Sequence, residues 1–96
     1  MAAQRRRKKA VPPMLSDNDW SRLDRALREL REDRVEVTMG RTSIEVQTAR
    51  AGGGWTVAMI VGVVLRRDGE VRERQWVESI EDAREIVRRW SCGPDI

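Results

Sequence analysis

A chain of 96 residues that is 40% hydrophobic and 36% charged holds one small domain with one core, not two. With no histidine it lacks an imidazole general base, a Ser-His or Cys-His pair and the common zinc sites, and a single cysteine, Cys92, excludes an internal disulfide. The formal charge of +3 comes from one place: Arg5, Arg6, Arg7, Lys8 and Lys9 form an unbroken run, while the other 14 basic residues face 16 acidic ones, a balance of −2.

That run, followed by Ala10 and Val11-Pro12-Pro13, predicts a disordered basic arm over residues 1–13 ahead of a single α+β domain over 14–96. No apolar stretch follows the cations as a secretory leader would require, because Leu15 gives way at once to Ser16-Asp17-Asn18-Asp19. The longest apolar run, Trp55 to Leu65, is shorter than the ~20 residues of a membrane-spanning helix. With one cysteine as well, a reducing, cytoplasmic location without a membrane span is expected.

Ser16 is a good helix N-cap, with Asp19 three residues on and Leu15 placed to staple against Trp20. Trp20, Leu23, Ala26, Leu27 and Leu30 then recur at helical spacing, which predicts an amphipathic helix over 17–32. Val35, Val37 and Met39 alternate with polar residues, Gly40-Arg41 suits a two-residue turn, and Ile44 and Val46 resume the alternation. This hairpin sets Val37 opposite Ile44 and Val35 opposite Val46. Arg50-Ala51-Gly52-Gly53-Gly54 reads as a flexible connection, and the spacing of its glycines matches no nucleotide-binding fingerprint. The run from Trp55 to Leu65 is apolar on both parities and predicts a third strand covered on both faces. Asp68-Gly69 turns the chain into a fourth strand, Val71 to Val77. Ser79 caps a second helix with Ile80, Ala83, Ile86, Val87 and Trp90 on one stripe, and Gly93-Pro94 stops it.

The predicted order is α-β-β-β-β-α, a four-stranded antiparallel meander flanked by an N-terminal and a C-terminal amphipathic helix. Coverage is the open question, because the third strand asks for burial on both sides. Either the helices take opposite faces, or both take one face and the other packs on a partner; the second arrangement makes a homodimer.

Three features bear on binding. The arm, Arg5 to Lys9, can neutralise up to five phosphates, a salt slope of about −4 to −5 at ~0.9 per phosphate, while a solubilising tail is the other reading of the same residues. Arg66, Arg67, Arg72 and Arg74 crowd the hairpin around Asp68-Gly69, although Asp68, Glu70 and Glu73 dilute their field. Alternation also groups Arg72, Arg74 and Trp76 on one strand face, a basic and aromatic stripe such as single-strand binders use. An uninterrupted register from the Asp68-Gly69 turn sets Trp76 opposite Val61, so the indole is expected in the core.

Acids fill both helix starts, Asp17 and Asp19 in the first and Glu78, Glu81 and Asp82 in the second, leaving no free positive dipole end for a phosphate. The carboxylates as a group are explained as solvated surface charge in salt-bridge spacing. Cys92 follows a helix C-terminus, where the dipole disfavours a thiolate, and is expected to be non-catalytic. The resulting expectation is a non-enzymatic binding protein that contacts nucleic acid or another polyanion through its arm. The alternative is a protein–protein interaction module, a small inhibitor, adaptor or chaperone-like dimer of the sort found in bacterial and mobile-element genomes. No cofactor, metal or small-molecule substrate is expected.

Overall fold

The computed structural model describes residues 15–92, and the predicted arm and the Gly93-Pro94 stop lie outside them. Two helices, α1 (Asp17–Arg28) and α2 (Ile80–Cys92), flank the strands β1 (Asp33–Met39), β2 (Thr42–Gly53), β3 (Thr56–Arg67) and β4 (Glu70–Val77). The strands form one antiparallel sheet in the order β1-β2-β3-β4, so the predicted α+β meander is the observed fold.

Local sequence accounts for the ends of these elements. The Ser16 hydroxyl accepts a hydrogen bond from the Asp19 amide at 3.1 Å, and the Ser79 hydroxyl does the same for Asp82 at 3.1 Å, as N-caps do. Leu15 and Trp20 are buried together in the core, which fixes the entry to α1. The exit of α1 differs from expectation. The helix stops at Arg28 rather than running to residue 32, because Leu30 turns to a φ of 53° and the Arg31 amide closes back on the Ala26 carbonyl at 2.8 Å. Buried Thr48 then catches the freed chain: its hydroxyl donates to the Arg31 carbonyl at 3.0 Å and accepts from the Asp33 amide at 2.9 Å.

Both helices pack on the same face of the sheet. Trp20 and Leu23 of α1 and Ile80, Ala83, Ile86 and Val87 of α2 share one core with Val35, Ile44, Val46, Val61 and Val63. Leu23, Ile44, Val46, Val61 and Val63 are completely buried, and each is worth ~1.5–3 kcal/mol of transfer free energy. The Arg84 guanidinium lies 5.2 Å from the centre of the Trp20 ring and joins α2 to α1. Among the described residues the opposite face of the sheet carries no helix.

The first hairpin has the predicted register, Val37 opposite Ile44 and Val35 opposite Val46. The second does not have the predicted loop. β2 continues through Arg50, Ala51, Gly52 and Gly53, and only Gly54 and Trp55 form the turn to β3. Gly52 sits at a φ of +91°, where an added Cβ would come within 2.9 Å of the Thr56 carbonyl oxygen, so the glycines are a tight reversal and not a tether. Trp55, expected inside the third strand, is instead fully exposed at the tip. Because β1 pairs β2 only as far as Thr48 and β4 pairs β3 only from Val61, residues 49–60 project as a two-stranded ribbon. The expectation of a third strand covered on both faces fails there: Val57 and Ala58 are exposed.

Candidate functional site

The sheet face opposite the helices collects most of the chemistry that the fold does not consume. Cross-strand partners share a face, so the registers define rows running from β1 to β4. One row is Glu36, Glu45, Val64, Arg74; the next, toward the ribbon, is Arg34, Gln47, Gly62, Trp76. Beyond them lie Ala49 beside Ile60 and Ala51 beside Ala58 on the ribbon.

The fourth strand reaches this face through a bulge. Leu65 pairs with Glu73 but Arg66 pairs with Val71, which leaves Arg72 with no residue opposite and shifts the remainder of β4 by one position. Trp76 therefore lies opposite Gly62 and not Val61, and it leaves the core for the open face, where it is 50% exposed. Gly62 makes this possible. A Cβ there would stand 2.5 Å from Cζ3 of the indole, so the ring lies down across the glycine with one face to solvent. In place of the tryptophan, the bulge turns Val77 toward Val61 and the core.

A charge cluster occupies the neighbouring strands. The Glu45 side chain is only 8% exposed, and it accepts from Arg66 Nη1 at 2.7 Å with Arg34 Nη1 at 3.3 Å on its other side. Arg66 also approaches Glu36 at 3.9 Å. Two guanidiniums around one carboxylate are what burial of the charge requires, so the solvated-surface explanation does not hold for Glu45. Val64, in the same row, is 3% exposed on a face that no helix covers.

The basic residues singled out from sequence are thus dispersed. Arg66 is committed to Glu45 and Glu36, Arg67 is exposed beside the Asp68-Gly69 turn, Arg72 occupies the bulge, and only Arg74 stands with Trp76 on the open face. Arg5 to Lys9 lie outside the described residues. Of the 14 arginines within them, seven form ion pairs, including Arg41 with Asp68, which ties the two hairpin turns at 2.6 Å, and the i,i+4 pair Arg28–Asp24. Among the described residues, half of the arginines are therefore matched by a carboxylate.

A second polar device lies outside this face, at the start of β1. Arg22 grips Asp33 through two hydrogen bonds of 2.6 and 2.5 Å and also donates to the Arg34 carbonyl at 2.7 Å. The hydrogen bond from Arg22, with a further one from the Arg34 amide, holds the Asp33 carboxyl at about 2, below its ordinary 3.8, and the same contact raises Arg22. This clamp fastens α1 to β1. A shallow cleft of about 280 Å³ between α1 and the start of α2 is lined by Trp20, Asp24, Ile80, Glu81 and Arg84, and the first turns carry the expected acids Asp17 and Asp19 in α1 and Glu81 and Asp82 in α2.

Among the described residues no group of three or more Cys, Asp or Glu side chains converges as metal ligands would, and no helix is long and apolar enough to cross a membrane. The residues that sequence reasoning missed are Trp76 as an exposed platform, Gly62 beneath it and Glu45 as a buried charge. The stripe of Arg72, Arg74 and Trp76 was the available signal for the indole, whereas the positions opposite Leu65 and Val63 are taken by exposed Glu73 and Gln75 and so mark no bulge. Compared with known proteins, the chain matches no family model, no curated protein and no solved structure.

Proposed function

We propose that this is a non-enzymatic, cytoplasmic binding protein that contacts nucleic acid or another polyanion through Arg5, Arg6, Arg7, Lys8 and Lys9, while its folded body pairs with a second copy. The observation that carries the reading is the separation of charge. Five cations stand together in the arm, whereas the remainder of the chain has a balance of −2 and half of the described arginines are held by carboxylates. A polyanion finds its strongest field at the arm, and Arg67, Arg72 and Arg74 add a weaker one along the β3–β4 hairpin.

Deleting residues 1–10 tests this. The truncated protein is expected to keep the far-UV circular dichroism of the full chain and to lose most of its affinity for DNA or RNA, together with a salt slope of about −4 to −5. Unchanged affinity with an unchanged slope would overturn the reading. The alternative, a protein–protein interaction module such as a small inhibitor, adaptor or chaperone-like dimer, is favoured by the half-exposed Trp76 on an uncovered sheet face. Under it, deletion of the arm leaves partner binding intact and Trp76→Ala removes it.

A further inference from the structure

The geometry points to a specific dimer: two copies pack their open sheet faces together about a two-fold axis that runs parallel to the strands, between β2 and β3. This rests on the homodimer reading above and adds the arrangement. An axis in that direction keeps each residue at its own level along the strands and exchanges β1 with β4, and β2 with β3. The rows of the open face are complementary under that exchange. In the row Glu36, Glu45, Val64, Arg74, the acid at the β1 edge meets the base at the β4 edge of the second copy. In the next row, Arg34 of one copy meets the exposed indole face of Trp76 in the other, a cation–π pair, while Gln47 fills the space over Gly62.

The ribbon decides between this axis and its alternative. Residues 49–60 continue the two central strands, and their open side carries Ala49, Ala51, Ala58 and Ile60. A two-fold axis along the strands sends both ribbons out at the same end with Ala49 toward Ile60, so their small apolar side chains face one another next to the sheet, and the ~30° crossing of packed sheets parts them toward the tips. An axis across the strands would send the ribbons out at opposite ends and leave both bare. It would also set Glu36 near Glu36 and Arg74 near Arg74. Packed sheets rotate by about 30°, which displaces strands ~7 Å from the axis by about 4 Å, within the reach of glutamate and arginine side chains. The arrangement also brings both α1 N-termini to the same end of the dimer.

Sedimentation equilibrium of the full chain, of Glu36→Arg, of Arg74→Glu and of the double variant tests the arrangement. Both side chains are exposed, so each variant is expected to fold with an unchanged circular dichroism spectrum. The wild type is expected at twice 11.1 kDa, each single reversal weakens the dimer by about tenfold or more, and the double variant recovers to near wild type. A wild type dimer indifferent to the single reversals, or weakened by them without recovery in the double variant, would overturn the arrangement while leaving the homodimer reading in place. A monomeric wild type would overturn both. A monomer whose tryptophan emission is quenched by a single-stranded oligonucleotide, with the quenching lost in Trp76→Ala, would assign the face to nucleic acid instead.

Discussion

Replacing Trp76 by alanine separates a tryptophan that lies on the sheet from one that lies in the core. The indole is 50% exposed, so folding removes from water about half of the ~250 Å² such a side chain can bury. At ~25 cal/mol per Å² that burial is worth about 3 kcal/mol, and allowing for a denatured chain that is already partly compact lowers it to ~2 kcal/mol. No cavity term is added, because the space beneath the ring is the backbone of Gly62 and solvent can enter from above. Trp20, 5% exposed between α1 and the sheet, is the internal control: Trp20→Ala is expected to cost ~3–5 kcal/mol. Urea unfolding followed by far-UV circular dichroism gives both values with one slope. A loss for Trp76→Ala equal to that for Trp20→Ala would show that the indole is part of the core and would refute the β4 register described above. If Trp76 also anchors a dimer, its loss grows with protein concentration, while the Trp20 difference does not.

Asp33→Asn is expected to destabilise the fold by ~1 kcal/mol at neutral pH, the half-exposed Arg22 being screened by solvent. Because the Asp33 carboxyl sits at about 2, below its ordinary 3.8, its contribution is complete above about pH 4 and is lost as pH falls toward 2. Urea unfolding between pH 5 and 2 is therefore expected to show a steeper decline for wild type than for Asp33→Asn, and parallel declines would refute the assignment. Leu30→Gly is expected to stabilise the protein by ~0.5–1 kcal/mol in the same assay, since glycine adopts the φ of 53° without the Cβ clash; a loss would show that the exposed leucine packs more than it strains.

The parts of the fold that followed directly from the sequence are those governed by neighbours in the chain. Ser16 with Asp19, Ser79 with Asp82, and Gly40-Arg41 between alternating valines each specify local geometry, and each is found as expected. The departures come from contacts distant in sequence. α1 ends early where Leu30 turns to a φ of 53°, and the residue that holds the released chain, Thr48 on β2, lies outside residues 17–32. The glycines at 52–54 have a composition shared by tethers and tight reversals, and only the pairing of Gly53 with Thr56 distinguishes them. At the candidate site, the Asp68-Gly69 turn is where expected and pairs Arg67 with Glu70, yet a single extra residue at Arg72 reverses the facing of Trp76. A bulge of this kind leaves no mark in the alternation on either side of it.

The ribbon of residues 49–60 also has consequences for local opening. With neither β1 nor β4 alongside it, each of its strands has one edge whose amides have no strand partner, so outward- and inward-facing amides alternate residue by residue. Hydrogen exchange along Ala49–Gly53 and Thr56–Ile60 should accordingly read as a comb, fast teeth between slower ones. The slow ones should relax by unzipping from Trp55 toward the Arg50 side chain, which is anchored on the Leu30 carbonyl at 3.1 Å. The hairpin is thus the segment where the molecule opens first, and the anchor at Arg50 is where that opening stops short of the core.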